Sequence, residues 1–369
     1  MEIGHSMDGA RGLSARSRAI GGLAAVCAVL SMTSPAAAQF YPSPPLSSAH
    51  VSSQSALFDL TTRFLRQLGT EAGNLNAGPP LVSNPNGGGA ELALNPQDQR
   101  RWRAWFEGYG LWSRMSGQGT FPGDRRETFG GVAGLGYTAA PGISFGASVD
   151  QSHTKIEIAD LPQRARLDLT QIGTNAAFES GPWTLAVAAI YGFGRVHTER
   201  DDFGGTVDHA DYDASMWGTL AELSYLWTSG AFRIVPKAGA DWARVRTDSF
   251  VESGGPTATT GSDQVSTRTR LFAGAEFGNT WNFDKALFDL SAYGRLVGIV
   301  QQDIGTLQVG GGVVTVPVQG VGESRLGADA GAAATWRLSS LMRIYAAYDG
   351  RFRSNFTSHA GTLGLELRW

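Results

Sequence analysis

The chain has 369 residues, a formal net charge of −3 and only 17% charged residues. This near-neutral balance, with no basic patch, argues against a nucleic-acid-binding protein. No apolar run approaches the roughly 20 residues that a transmembrane helix requires, and the mean hydropathy is −0.13. The 49 glycines, together with 10 Trp, 9 Tyr and 18 Phe, are typical of all-β structure rich in turns.

The chain begins with the three parts of a secretory signal peptide. Three arginines between residues 11 and 18 precede an apolar run over residues 19–32, and the small residues Ala36 and Ala38 follow. This order predicts a signal peptide over residues 1–38, cleaved after Ala38, and therefore export of the remaining chain.

Residues 39–100 are rich in Pro, Gly and Ser and are not expected to form a core of their own. The period changes over residues 53–68, where large apolar residues recur at spacings of three and four: Leu57, Leu60, Phe64 and Leu68. This spacing predicts an amphipathic helix that begins at Ser52 or Ser53 and stops at Gly69.

The predicted helix has two possible positions. Sixteen residues make a helix of about 24 Å, close to the ~25 Å apolar band of an outer-membrane barrel, so the helix could stand in a barrel lumen as a plug. A continuous Leu/Phe stripe suits a polar lumen poorly, however. The helix could equally lie outside, against the barrel wall, a partner or lipid headgroups.

From residue 101 onward, alternating runs are joined by connections of two kinds that themselves alternate. Short connections occur near residues 141, 181, 229, 284 and 339. Longer ones cover roughly residues 116–126, 158–165, 199–211, 251–265, 304–322 and 353–357. Five short and six long connections join about 12 strands, which predicts a transmembrane antiparallel β-barrel over residues 101–369, with outer-membrane lipid as its surroundings.

Within the predicted strands, charged residues share one phase of a period-2 pattern, and aliphatic or aromatic residues share the other. The charged phase should face the lumen, because charge is not tolerated on the lipid face. These charges could line a small water-filled conduit or pair across strands. The residues expected to face the lumen are Glu107, Arg270, Glu276, Asp289, Arg295, Arg325, Asp329, Arg343, Asp349, Arg351 and Glu366.

The phase is ambiguous in two strands. Asp241 and Arg244 cannot both face inward without a bulge, and Arg195 shares a phase with aromatic residues. We expect these strand ends to rise above the bilayer into the loop zone.

The C-terminal strand, residues 357–369, carries apolar residues on one phase and polar ones on the other. The apolar phase consists of Leu363, Leu365, Leu367 and Trp369. This pattern resembles the assembly signal of bacterial outer-membrane proteins, and it implies recognition by the barrel assembly machinery.

The barrel as a whole resembles the β-domain of autotransporters, the type V secretion family. The resemblance rests on the opening residues 102–110, the Gly-rich hairpin over residues 130–147 and the terminal residues 363–369. It implies a bacterial outer-membrane protein through whose lumen an N-terminal passenger reaches the cell surface. Only about sixty residues separate the predicted signal from the barrel, so we expect translocation or display of a short segment by a monomer.

The sequence offers little chemistry beyond this. The densest polar cluster lies around His209, within residues 208–213, and it could bind a divalent cation or serve a barrel hydrolase at the external rim. No cofactor motif occurs, and an enzyme is not expected. The alternatives to a translocator are a pore or adhesin-like barrel without a passenger and, from another class, such a hydrolase.

Overall fold

The computed structural model describes residues 47–76, 101–283, 286–311 and 314–369, so the predicted signal peptide, with Ala36 and Ala38, and most of the linker lie outside the described residues. In these ranges one α-helix, α1 (Ser48–Asn76), precedes the strands. Twelve long antiparallel strands close into a barrel, which confirms the predicted fold class. They are β1 (Trp102–Gln118), β2 (Phe121–Ala140), β3 (Ile143–Ile158), β4 (Gln163–Ser180), β5 (Trp183–Asp201), β6 (Val207–Tyr225), β8 (Phe232–Thr247), β11 (Gln264–Phe283), β12 (Ala286–Asp303), β15 (Leu326–Arg337), β16 (Met342–Arg353) and β17 (Phe356–Arg368).

The barrel closes where its first and last strands meet. β1 and β17 pair antiparallel from Arg103↔Arg368 to Met115↔Phe356. The backbone N–H of Trp102 also donates to the carbonyl of Trp369 at 3.1 Å. Because every long strand has a neighbour on each side, no edge is left unpaired in the wall.

The two ends of the barrel differ in their connections. At the end that carries Trp102 and Trp369, neighbouring strands are joined by tight turns such as Pro141-Gly142. At the other end the strands continue further than predicted. The expected loop over residues 116–126 is largely strand, because β1 and β2 extend to a two-residue turn at Gly119-Thr120. Polar outward residues such as Arg125 explain the error, since ladder hydrogen bonds do not require an apolar face.

The two longest connections at this far end, the long-loop end, fold into a small sheet of their own. Its strands are β9 (Phe250–Val251), β10 (Thr260–Gly261), β13 (Thr306–Gly311) and β14 (Val314–Gln319), in the order β14-β13-β10-β9. Phe250, Leu307, Val309 and Val318 are buried beneath it, in one cluster with Ala49 and Val51 of α1. The sheet therefore packs over the first turns of the helix. A three-residue strand, β7 (Trp227–Ser229), only extends the pairing of β8 at the tight-turn end.

The outward face of the wall is apolar between two rows of aromatic residues. Near the tight turns the aromatic pairs include Trp102–Tyr137, Trp183–Tyr225 and Trp281–Phe288. Toward the other end they include Trp112–Phe129 and Tyr191–Trp217. Trp102 and Trp112 lie ten residues apart on β1, which is about 25 Å across a barrel whose strands tilt by about 40°. This spacing matches the apolar band of an outer-membrane barrel.

A charge placed in the middle of this band should impair insertion. Ala330 faces outward, six residues along β15 from Trp336, which contacts Phe288 in the aromatic row near the tight turns. We expect Ala330→Arg to cost about 2–4 kcal/mol, because a guanidinium near the bilayer midplane loses its hydration. Val251→Arg is the matched control, since Val251 is 70% exposed on the small sheet outside the band. Folding yields into lipid vesicles measure both, and equal yields would contradict the orientation.

The C-terminal strand has the predicted polarity, with Leu363, Leu367 and Trp369 exposed, Leu365 half-buried and Glu366 inside.

The structure also shows which way the charged residues face in the two strands whose phase is ambiguous in the sequence. Asp241 faces inward, whereas Arg244 faces outward without a bulge in β8. Arg195 faces outward and pairs with Asp213.

Candidate functional site: the helix in the barrel lumen

Helix α1 stands inside the barrel and runs from one end to the other. Near its beginning, the N–H of Ala49 donates to Gln163 Oε1 at 3.2 Å, at the long-loop end of β4. Near its other end, Ala72 is buried against Ala177 and Ala186, next to the tight turn between β4 and β5. The helix therefore enters at the tight-turn end and points its N-terminus to the long-loop end.

The helix is longer than predicted. It begins at Ser48, and it continues past Gly69 to Asn76, so 29 residues give a length of about 43 Å. Gly69 does not stop the helix. A Cβ there would lie 3.0 Å from Leu220 Cδ2, so glycine allows the helix to approach the wall closely. Within the described residues, no helix combines the length and the apolar character needed to cross a membrane.

One side of α1 is apolar and packs against an apolar part of the lumen wall. The stripe predicted from the sequence is fully buried: Leu57, Leu60, Phe64 and Leu68, joined by Leu65. The wall opposite consists of inward residues of β4, β5 and β6: Leu167, Leu169, Ile190, Val196, Met216 and Leu220. A Cβ at Gly173 of β4 would lie 2.4 Å from Leu68 Cδ1, so this glycine makes room for the stripe.

The opposite side of α1 is polar and faces charged residues of the remaining strands. Asp59 is buried between Arg351 Nη1 of β16, at 2.5 Å, and Arg126 Nη1 of β2, at 3.3 Å. Arg351 in turn bonds Glu323, in the segment before β15. The helix therefore joins two distant strands and a loop through one buried carboxylate.

The same polar side continues toward the tight-turn end. Arg66 donates to Asp349 at 2.9 Å and to the hydroxyl of Tyr293 at 2.6 Å. Five residues further along, Glu71 pairs with Arg103 of β1 at 2.8 Å. Asp59 and Arg66 lie seven residues apart on one face of the helix, whereas Glu71 projects from a different side, so ionic contacts hold α1 on more than one side.

Ten of the eleven charges expected to face the lumen lie in the barrel interior and make polar contacts there. They are Glu107, Arg270, Glu276, Asp289, Arg295, Asp329, Arg343, Asp349, Arg351 and Glu366. Arg325 is the exception, because it precedes β15 and its side chain is exposed at the long-loop end. Contacts with α1 and pairs across strands, such as Arg270–Asp241 at 2.7 Å, account for these charges.

Several charged residues of the lumen were missed from the sequence. Arg103, Arg126 and Asp150 lie on the inward phase of β1, β2 and β3, and Arg233 lies on that of β8. The same alternation includes Arg126 and Asp150, but the polar run over residues 116–126 predicts a loop, and the glycines of residues 130–147 weaken the alternation of β2 and β3. No local pattern marks Glu323, since it lies in a connection.

The first turn of α1 is held by a buried polar cluster at the long-loop end. His50 stacks on Phe250 at 3.6 Å between ring centroids and contacts Glu252, which also accepts from Arg200 at 2.8 Å. Burial alone would raise the pKa of Glu252, but the contacts with His50 and Arg200 outweigh it and hold that pKa at about 2. Burial would likewise raise the pKa of Glu323, which the charges of Arg351 and Arg268 hold below its usual range.

A closed antiparallel barrel of twelve strands with an apolar outer band is the architecture of an outer-membrane protein, and here a helix runs through its lumen. The chain is similar to the translocator domain of the autotransporter NalP from Neisseria meningitidis, with 14% identity and a TM-score of 0.68 over 88% of this chain and 100% of that one. It is also similar to the β-domain of the Bordetella autotransporter BrkA, with 14% identity and a TM-score of 0.52 over 73% and 100%. A search of curated proteins gives no match.

The model of the autotransporter β-domain family matches residues 104–349. The chain belongs to this family, and the protein is an autotransporter translocator barrel. Barrel domains of this family lie in the bacterial outer membrane. The tight-turn end, which carries the C-terminal strand, is accordingly the periplasmic end, and the long-loop end is the external one.

Proposed function

We propose that the barrel carries the segment before α1, residues 39–46 after cleavage at Ala38, through its lumen and displays it outside the cell. The observation that supports this most directly is the direction of α1. Its C-terminal end lies at the periplasmic end, where β1 begins, and its N-terminal end lies among the external loops. A chain that enters the lumen as a hairpin from the periplasm and emerges N-terminus outward would stop in this position.

The external end offers a way out for the segment. A cavity of about 610 Å³ opens there beside the first turns of the helix. It is lined by Ser48 and Val51 of α1, by Gln118 and Phe121 at the β1–β2 turn, and by Gly322. The preceding residues can therefore leave between the loops while the small sheet covers the rest of the opening.

An open pore is less well supported than a translocator, since α1 occupies the lumen and contacts its wall through apolar residues on one side and ion pairs on the other.

For the assembly of the barrel, we propose that the strand carrying Leu363, Leu365, Leu367 and Trp369 is the part recognised by the barrel assembly machinery. We also propose that the protein acts as a monomer, since its closed wall leaves no strand edge with which a second copy could pair.

Two epitope tags test the proposed direction of transport. One tag is inserted between residues 41 and 42, before the helix, and the other after residue 88, between helix and barrel. On intact cells, protease should remove the first tag and leave the second until the outer membrane is permeabilised. Protection of the first tag, or digestion of the second from outside, would contradict the proposed direction.

A further inference from the structure

The outer wall of the barrel carries a group of potential metal ligands at the long-loop end, beyond the aromatic row that includes Tyr191 and Trp217. His197 and Glu199 face outward on β5, and His209 and Asp211 face outward on the neighbouring β6. The strands align His197 with Asp211 and Glu199 with His209, so the four side chains form a square on one surface. His197 lies four residues beyond Phe193, at the external end of the strand.

Three of these side chains place a ligand atom each within 4.8 Å of the others: His197, Glu199 and His209. Nε2 of His197 lies 3.2 Å from Oε1 of Glu199. A tetrahedral zinc site with bonds of about 2.0–2.1 Å has ligand atoms about 3.3 Å apart, so this pair already has the required spacing. The imidazole of His209 is exposed and lies parallel to that of His197 within 20°, so rotation of its side chain closes the remaining distance.

The surrounding residues orient these ligands. Nδ1 of His197 lies 3.0 Å from Oδ1 of Asp211, and in the tautomer in which Nδ1–H donates to Asp211 the Nε2 lone pair is directed at Glu199. A carboxylate behind a histidine is the usual support of a metal ligand.

The remaining two ligands are also held. Arg164 bonds Oε2 of Glu199 and leaves Oε1 toward the group. The backbone of His209 exchanges two hydrogen bonds of 2.9 Å with Ser253. The site is therefore built on paired strands rather than on a free loop.

We propose that His197, Glu199 and His209 bind a divalent transition-metal ion of the zinc class at the cell surface. Two imidazoles and one carboxylate suit Zn²⁺, Co²⁺ or Ni²⁺, whereas Ca²⁺ and Mg²⁺ require mainly oxygen ligands. Three protein ligands leave the fourth tetrahedral position open to solvent, so water or a donor group on another molecule completes the shell.

Cobalt and zinc titrations of the untagged protein, extracted from outer membranes and freed of metal with a chelator, test the site. We expect Co²⁺ to produce visible absorption bands that saturate at one ion per chain and that Zn²⁺ abolishes. His197→Ala and His209→Ala should each remove the bands. Asp211→Asn keeps all three ligands but loses the orienting carboxylate, and should weaken Zn²⁺ binding by about 10- to 100-fold.

His153→Ala is the matched control, because His153 also faces outward and lies 2.6 Å from an aspartate, Asp168, but is not part of a group of three potential metal ligands among the residues that the structure describes. It should bind Zn²⁺ as the parent does. The heat-dependent gel shift of a folded barrel verifies that each variant is folded. Absence of saturable binding, or binding that survives both His197→Ala and His209→Ala, overturns the proposal, since only a protonated histidine or scattered surface carboxylates would then remain.

Discussion

Deletion of residues 48–76 should turn a closed barrel into a conducting one. The helix occupies a cylinder about 10–12 Å wide, and its removal should raise the single-channel conductance in planar bilayers by about tenfold or more. Water can enter the emptied lumen because its charged half, including Arg126, Asp329 and Arg351, gains hydration in exchange for the lost partners.

The matched control removes residues 39–46 and leaves α1 in place. This variant should stay closed, since the contacts that fill the lumen begin with the helix itself. The gel shift of folded barrels shows that both variants have assembled. Equal conductance of the folded deletion variant and the full chain would mean that α1 does not close the lumen.

Loss of Asp59 should destabilise the folded protein far more than loss of an exposed acid. Asp59→Ala leaves the buried guanidinium groups of Arg351 and Arg126 without one of their partners, and we expect a cost of about 3 kcal/mol. Asp213 is the control, because its pair with Arg195 is about two-thirds exposed on the outer wall. Asp213→Ala should cost less than about 1 kcal/mol.

Urea unfolding in lipid vesicles, followed by Trp fluorescence, gives both free energies of unfolding. A double-mutant cycle of Asp59→Ala with Arg351→Ala isolates the contact between helix and wall. A coupling free energy near zero, or equal costs for Asp59→Ala and Asp213→Ala, would show that the helix is not anchored through this carboxylate.

The barrel wall could be predicted from the sequence because its signal is local. In β15, for example, Ala328, Ala330 and Trp336 alternate with Asp329 and Arg337, and a period of two is enough to assign both faces. The outward position of the C-terminal leucines follows from the same alternation. Such patterns need no knowledge of which strand lies beside which.

The position of α1 could not be predicted, because the apolar half of the lumen is hidden in the sequence. In β5, inward Ala188 and Ile190 alternate with outward Val187 and Tyr191. Because both faces of the strand are apolar, polarity does not show which face points into the lumen. The lumen was therefore expected to be polar throughout, and a Leu/Phe stripe did not fit it. The ionic partners of the helix depend in addition on strand register and on Glu323 in a connection, which no short pattern encodes.

The end of the helix was mispredicted for a related reason. Gly69 is a common stop signal in an isolated helix, but here Leu65 and Leu68 before it and Ala72 after it are buried against the wall. Contacts such as Glu71 with Arg103 and Ala72 with Ala177 and Ala186 hold the chain helical beyond it. Tertiary packing overrides the local preference.

Thiol crosslinking tests the central claim, that α1 lies inside the assembled barrel, most directly. The one cysteine, Cys27, belongs to the predicted signal, so introduced cysteines are the only thiols of the exported chain. Thr61 Oγ1 lies 2.7 Å from Sδ of the inward Met216, whereas the adjacent Trp217 is 55% exposed on the outer face. In isolated outer membranes, a short bifunctional thiol reagent should join Thr61→Cys to Met216→Cys and shift the denatured band, but should not join Thr61→Cys to Trp217→Cys. Crosslinking to position 217 rather than 216, or to neither, would place the helix outside the lumen and contradict the account.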